Sequence, residues 1–556
     1  MDRLRTLGLL YSLFLLALLP IHYVLWVLPG EELMERKHLA LVATALLVCL
    51  ATSILAGALT PLTSDVLLRR LTLYLATRKY RLGLVLLLVA VLWPCMTADV
   101  VLDRFINSGD EFAYVFQARG LLEGRFWYEA PPLGYTFVAL RTWIIGEKWV
   151  GQYPPGWPVL LAAGQRTGMP PWAVNAVFGG LLTSSFLVTV WRERSAAVAL
   201  VMTALLISSP FYLFNAASYH SHITAAFSLL SFTLVYTHSR DTHKPLPTVV
   251  AGAWLGLLGT IRYFAVPLSG AALLLDLCQH RKFVWRRVLF LLLGGLPFFG
   301  LLLYYHFLVT GNPFTSTYAV IDWQEETWFA MNVHQLMAGM RLLTQGLGAL
   351  AAWTCPLLPL AYVLCCIAKM RARSYQWYDL VFPMFVLGYL VFPTLGGNRY
   401  GPRYYFDAYP LMLLTMATAS PAVIGWASRR NLKHVVLHGL GASLLYCLVS
   451  YPFVAWRYHT IIWERQDVFR LAEEAQLRNA VVLIKSSTGV VWRMGVRDLV
   501  RNEPGLQAHV LFALGRPALN GSAVDAEAIR QAFPYRSLWV YERQPGHPHG
   551  QLRPAE

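Results

Sequence analysis

The sequence predicts a polytopic α-helical membrane protein of about thirteen spans, with a small α/β domain at its C-terminal end. Three observations carry this reading. Of 556 residues, 56% are hydrophobic and only 14% are charged, against about 25% charged in an ordinary soluble domain. Apolar windows of roughly 20 residues, the length a bilayer requires, recur through most of the chain. Beyond about residue 458 the windows stop, and short β-branched runs alternate with polar helical stretches.

Expected spans lie near residues 7–28, 39–59, 82–98, 171–191, 195–213, 219–237, 246–262, 264–278, 288–309, 346–368, 379–395, 404–426 and 434–455. The N-terminus starts like a signal peptide, but the apolar run reaches Leu28 with no small-residue cleavage site, so a retained first span is expected. Orientation follows the basic clusters. These are Arg69 to Arg81, Arg192/Arg194, Arg281 to Arg287, Lys369 to Arg373 and Arg429 to Lys433. With the N-terminus inside, all five fall on the cytoplasmic side, as the positive-inside rule requires. This works only if the apolar piece 157–168 does not cross, so it is read as a short re-entrant or outer-face helix. The C-terminal domain, residues 459–556, then lies outside, following a membrane domain over 1–458.

The formal charge of +16 resides in those short clusters. With no long basic tract and no nucleic-acid module, it marks topology and excludes a nucleic-acid partner. The seven cysteines sit in or beside apolar segments without metal-type spacing. Thirteen per cent aromatic residues suit interfacial belts and ring-stacking surfaces.

The polar residues at membrane level gather on the predicted outer side. In the first outer loop, 99–157, Asp110-Glu111 follows an apolar segment and heads a stretch over 110–123. Its Phe112, Val115, Phe116, Leu121 and Leu122 suit an amphipathic helix lying on the membrane. Asp110 is read as its N-cap. Residues 133–152 alternate around Gly146-Glu147-Lys148 as a hairpin would. Gln152 to Pro158, with three prolines, forces an extended entry into the next helix. In the tail, 480–485, 508–512 and 537–541 read as strands, with helices at 465–478 and 523–532.

Two carboxylates beside hydrocarbon supply either a helix cap with a solvated neighbour or a general base tuned by burial. Arg262-Tyr263, Arg399-Tyr400 and Arg403-Tyr404-Tyr405 lie on the face where the positive-inside rule disfavours arginine. Arginine suits bidentate phosphate binding, so an anionic partner is read for them. Gly396-Gly397-Asn398 and Gly401-Pro402 suggest a loop permitting close backbone approach. His220 and His222, at i and i+2, share no helical face, so head-group hydrogen bonding is read ahead of a metal site. Glu129 and Pro131-Pro132 are further lining residues, and Asp322, Glu325, Glu326 and His334 among Trp323, Trp328 and Phe329 form either a sugar-binding surface or a solvated loop.

Gly109-Asp-Glu-Phe-Ala-Tyr-Val-Phe-Gln-Ala-Arg119, Tyr153-Pro-Pro-Gly-Trp-Pro158 and Gly401-Pro-Arg-Tyr-Tyr405 together resemble the GT-C superfamily over roughly residues 80–425. Within it the chain is similar to the bacterial glycosyltransferases related to protein O-mannosyltransferase and the lipid A aminoarabinose transferase. That resemblance implies a polyprenyl-phosphate-linked sugar donor taken from the membrane and transfer at the outer face of the cytoplasmic membrane. It implies Asp110 as the catalytic acid, acting as base, with Glu111 beside it orienting the acceptor or merely adjacent. It implies Arg262, Arg399 and Arg403, by position, as phosphate ligands; Tyr263, Tyr400, Tyr404, His220 and His222 join the substrate site on the reading of the residues themselves. Some relatives carry Lys or His just before the Pro-Pro motif. Here Ala130 or Tyr153 stands there, and Lys148 is the substitute read from the hairpin. No metal or other cofactor is demanded. The acceptor is a lipid, glycan or protein hydroxyl or amine, and membrane lipids are the remaining partners. The rival reading, a transporter or lipid flippase, expects ionisable residues at mid-span; a non-catalytic scaffold leaves Asp110 and the outer arginines idle.

Overall fold

The computed structural model describes residues 2–27, 36–59, 64–242, 244–279, 284–320, 333–391, 399–485, 496–515, 526–544 and 547–555. Among these, seven helices are long and apolar enough to cross a membrane: Arg5–Trp26, Leu39–Leu59, Lys79–Val101, Pro171–Glu193, Val284–Thr310, Arg403–Arg429 and Lys433–Arg465. Two bent helix pairs raise the number to nine. The protein is a multi-pass membrane protein. Other windows expected to cross correspond to shorter apolar helices, Pro245–Ile261, Ala265–Gln279 and Trp377–Leu390, and to the buried, more polar His222–Thr242.

Proline accounts for where the chain departs from a simple up-and-down pattern. The window 346–368 is not one straight helix: Met337–Trp353 and Leu357–Arg371 meet at 106°, because Pro356 follows Cys355 and cannot continue the hydrogen-bond ladder. Residues 195–217 likewise break into Ala196–Ser208 and Pro210–Ala217, bent by 61°. There Ser209 caps the second helix and Pro210 occupies its first turn. The bends bring Phe211 and Phe214 against Phe406, Tyr409 and Tyr400, beneath the segment that carries Arg403. The Gly156–Arg166 helix has 11 residues, so at 1.5 Å per residue it is far too short to cross.

The first loop is folded into the protein. Its helix, Gly109–Leu122, has buried residues at Gly109, Glu111, Ala113, Tyr114, Phe116, Gln117, Ala118 and Gly120. An amphipathic helix resting on the membrane was the expectation; the small residues Gly109, Ala113, Ala118 and Gly120 instead let neighbouring segments close around it. A side chain at Gly109 would lie 2.9 Å from the backbone and Cβ of Leu140. Strands Thr142–Ile145 and Lys148–Gly151 form an antiparallel hairpin, extended by Tyr128–Glu129.

The Lys433–Arg465 helix continues past residue 459. After it, Ala480–Ile484 pairs in parallel with Val510–Leu514 on one side and Ser537–Glu542 on the other, and Gln551–Pro554 adds an antiparallel edge. The last strand was not anticipated. One face of this sheet packs on Val468 and Leu499. The other buries Leu511, Ile529 and Leu538 together with Phe137, a residue of the first loop.

Candidate active site

The helix bearing the Asp-Glu pair begins two residues earlier than the sequence suggested. Ser108, not Asp110, is the N-cap: its Oγ accepts the N–H of Glu111 at 3.1 Å. Ser108 at Ncap and Glu111 at N3 is the Ser-x-x-Glu start signal, present in the sequence and overlooked there. Consecutive helical residues diverge by about 100°, so the two carboxylates face different surroundings.

Asp110 points into a cluster of guanidiniums and tyrosines. Its Oδ2 lies 2.7 Å from Nη2 of Arg403, and its Oδ1 lies 3.3 Å from Nε of Arg141 and accepts the hydroxyl of Tyr153. The side chain retains 12% exposure. Burial alone would raise its pKa; Arg403, Arg141 and the Tyr153 hydroxyl outweigh that and hold it below the usual carboxylate range. Tyr153 stacks on Tyr114 at 4.5 Å, and Tyr114 shares a hydrogen bond with Ser221.

Glu111 is fully buried. Its Oε2 takes the Ser108 hydroxyl at 3.0 Å and its Oε1 the N–H of Tyr219 at 3.1 Å. Burial is the dominant influence and raises its pKa, against the pull of the Tyr219 N–H, Arg399 and Ser108. A buried carboxylate with both oxygens engaged by the scaffold does not reach a substrate. The reading of Glu111 as catalytic is therefore replaced by one in which it docks the helix onto the 218–222 turn.

That turn explains the His-x-His spacing. Nε2 of His220 accepts from Nη1 of Arg403 at 3.0 Å. Nδ1 of His222 lies 2.9 Å from Asp407, whose other oxygen is 2.7 Å from Nε of Arg262. Each histidine thus serves a different arginine: His220 meets Arg403, and His222 reaches Arg262 through Asp407. Both arginines border Tyr404, with the guanidiniums of Arg262 and Arg403 5.5 and 5.6 Å from its ring centroid, and the His222 ring packs against it as well. Tyr404 in turn stacks on Tyr389 at 4.9 Å. Among the described residues no group of three or more His, Cys, Asp or Glu side chains is arranged to hold a metal ion.

No protein-family model matches the sequence, and no curated protein matches it. The fold, however, is similar to that of ArnT from Cupriavidus metallidurans. The crystal structure bound to undecaprenyl phosphate gives a TM-score of 0.50 at 13% identity, over 83% of this chain and 92% of that one. The apo structure gives 0.51 at 13% identity over the same shares. A further match is the archaeal oligosaccharyltransferase AglB from Archaeoglobus fulgidus in complex with an inhibitory peptide and a dolichol-phosphate. Its TM-score is 0.47 at 12% identity, over 84% of this chain and 70% of that one. The chain has the GT-C fold.

Within this GT-C fold the remaining expected site residues divide. Tyr263 borders the cluster: its hydroxyl meets Nε2 of His306 at 2.8 Å and its ring packs edge-on against Tyr318, which also packs against Tyr153. Arg399 and Tyr400 sit behind it. Arg399 donates to the carbonyl of Asn107 at 3.2 Å, and the fully buried Tyr400 accepts from the Asn107 amide at 2.9 Å. Both brace the chain entering the Asp110 helix, a place at odds with direct phosphate contact. Lys148 is likewise engaged elsewhere: Nζ donates to the carbonyl of Leu308 at 2.7 Å, completing the C-terminal end of Val284–Thr310, and lies over the Trp127 ring. Asp322, Trp323, Glu325, Glu326, Trp328 and Phe329, the side chain of His334, and Gly396 to Asn398 lie outside the described residues.

Sequence reading missed Arg141 and Asp407. Arg141 occupies a left-handed backbone position, φ 68°, immediately before the hairpin. Its signal was an arginine at a turn in a loop expected on the outer face, the same rule that singled out Arg262. Asp407 lay four residues after Arg403 in the expected span 404–426, where an acid within an apolar run is itself a functional signal.

Proposed function

We propose that this chain is a membrane glycosyltransferase that moves a sugar from a polyprenyl-phosphate-linked donor to an acceptor hydroxyl or amine. The observation that carries this reading is the setting of Asp110: a partly exposed carboxylate held between Arg403 and Arg141 beside the Arg262–Asp407 pair. Among the described residues this cluster gathers three guanidiniums, Arg141, Arg262 and Arg403, around the carboxylates of Asp110 and Asp407, a basic setting that suits an anionic ligand. The likeness to ArnT solved with undecaprenyl phosphate supports a lipid phosphate as that ligand.

The donor phosphate competes with Asp110 for Arg403 and Arg141. As it takes their hydrogen bonds, the influences that depress Asp110 weaken and its basicity rises. Asp110 then accepts the acceptor's proton as the O or N attacks the anomeric carbon. The bond from that carbon to the phosphate oxygen breaks, the configuration inverts, and the polyprenyl phosphate leaves with an added negative charge. The arginines stabilise that charge in a site largely walled from water, the setting in which such interactions are strongest. The partly exposed Tyr153, Tyr263, Tyr318 and Tyr404 offer aromatic surface for the sugar. By the positive-inside rule the reaction takes place on the extracytoplasmic side of a bacterial cytoplasmic membrane.

Binding of undecaprenyl phosphate to the detergent-solubilised protein tests the phosphate assignment. Arg403→Ala and Arg262→Ala are expected to weaken it about tenfold or more, in line with the loss of a charge-assisted contact. Lys148→Ala is expected to leave it unchanged. Equal affinity in all three variants contradicts the assignment.

A further inference from the structure

The C-terminal sheet does more than flank the site: residues 497–502 grip the backbone on both sides of the Asp110 cluster. On one side, Oδ1 of Asp498 accepts the N–H of Gly109 at 3.1 Å, at the first residue of the helix that carries Asp110. Arg501 donates to the carbonyl of Ile106 and lays its guanidinium 4.3 Å from the Phe105 ring centre. Arg465, at the end of the preceding helix, donates to the carbonyl of Asn107 at 2.7 Å. On the other side, Nδ2 of Asn502 donates to the carbonyl of Phe137 at 2.9 Å, and Nε of Arg497 reaches that of Val138 at 3.4 Å.

These anchors are tied into the C-terminal sheet. Asn502 also pairs with both backbone groups of Phe512, at 2.7 and 2.8 Å, which ties the segment to strand Val510–Leu514. Phe137 is fully buried in the core of the same sheet, beside Leu511, Ile529 and Leu538. Asp498 is itself buried, and a carboxylate at a helix N-terminus is favoured by the helix dipole and the unpaired first-turn N–H groups. The two gripped segments, 106–109 and 137–138, are those that lead directly into Asp110 and Arg141.

We propose that the 497–502 segment is a positioning element for the transfer reaction, setting the placement of Asp110 against Arg141 and Arg403. Asp498, Arg501 and Asn502 touch no reacting group in this arrangement and act through the backbone. The inference rests on the catalytic reading of Asp110 for its effect on rate, but its structural content stands apart from it. In catalysis a misplacement of about 1 Å costs on the order of a hundredfold, so a remote grip on this backbone has a large lever.

The test uses the full-length protein in detergent with 3-fluorotyrosine at position 153, whose hydroxyl meets Asp110. The fluorine resonance of Asp110→Asn marks the signal of a broken contact. Asp498→Ala and Arg501→Ala are expected to move or broaden the resonance towards that reference, and Asp498→Asn, which keeps an acceptor for the Gly109 N–H, to restore it. With undecaprenyl-phosphate-linked pentoses and hexoses as donors, the alanine variants are expected to lose about ten- to a hundredfold in kcat with KM within about twofold. If Asp498→Ala does not fold, Asn502→Ala reads the same coupling with the Gly109 contact intact. A wild-type fluorine signal in these folded variants overturns the proposal. A moved signal in a protein whose wild type transfers no sugar sustains the positioning role and refutes the catalytic reading instead.

Discussion

Asp110 and Glu111 are neighbours in sequence with opposite environments, and their substitutions separate the roles. In Glu111→Gln the amide oxygen still accepts the Tyr219 N–H and the amide nitrogen faces the Ser108 hydroxyl, the two contacts the carboxylate makes. Sugar transfer is expected within about threefold of wild type, whereas Glu111→Ala leaves a buried N–H unpaired, a loss of about 1–3 kcal/mol. Thermal unfolding of the two variants, read beside transfer, checks this; equal, severe loss of transfer in a stable Glu111→Gln contradicts it. The pH responses also differ in sign. Asp110 has a depressed folded pKa, so its ion pairs stabilise above the ordinary carboxylate value near 4 and that contribution is lost as pH falls below it. Glu111 has a raised one, so above about 4.3 its ionisation costs stability as pH rises through the raised value. Tm measured from about pH 7 down to 3 is expected to fall less on the acid side in Asp110→Asn than in wild type, and the advantage of Glu111→Gln over wild type is expected to shrink on acidification.

The first loop shows what local sequence does and does not reveal about an element. Its helix start was written in Ser108-x-x-Glu111, and its hairpin in the alternation around Gly146; both follow from rules acting over a few residues. What that alternation did not reveal was that Gly109 packs against Leu140, because close approach between distant segments leaves no periodic trace. A Cβ at position 109 would meet the backbone of Leu140 at 2.9 Å, one residue before Arg141. Gly109→Ala is therefore expected to part the Asp110 and Arg141 segments and to lower kcat about tenfold or more with little change in the fold, a misplacement effect. Circular dichroism with transfer kinetics measures both, and unaltered kcat refutes the packing argument. Likewise the 106° bend at Pro356 was foreshadowed by the proline but hidden by hydrophobicity, which treats 346–368 as one window.

At the scale of the whole molecule, hydropathy made the membrane class plain, and the arginines expected on the outer face led to Arg262 and Arg403. It did not separate arginines that line the cluster from Arg399, which braces the chain at Asn107, since both kinds obey the same topological rule. Nor did it reveal that Phe137 of the first loop is buried in the C-terminal sheet, a contact spanning more than 300 residues of sequence. The bent helix pairs, the 218–222 turn and the C-terminal sheet converge on one carboxylate, and the function proposed for the chain depends on it. The most direct test is Asp110→Asn assayed with undecaprenyl-phosphate-linked sugars after donor binding has been measured. The account predicts a loss of at least about a hundredfold in transfer, the scale of a lost general base, with undecaprenyl phosphate still bound. Transfer at the wild-type rate by Asp110→Asn would contradict it.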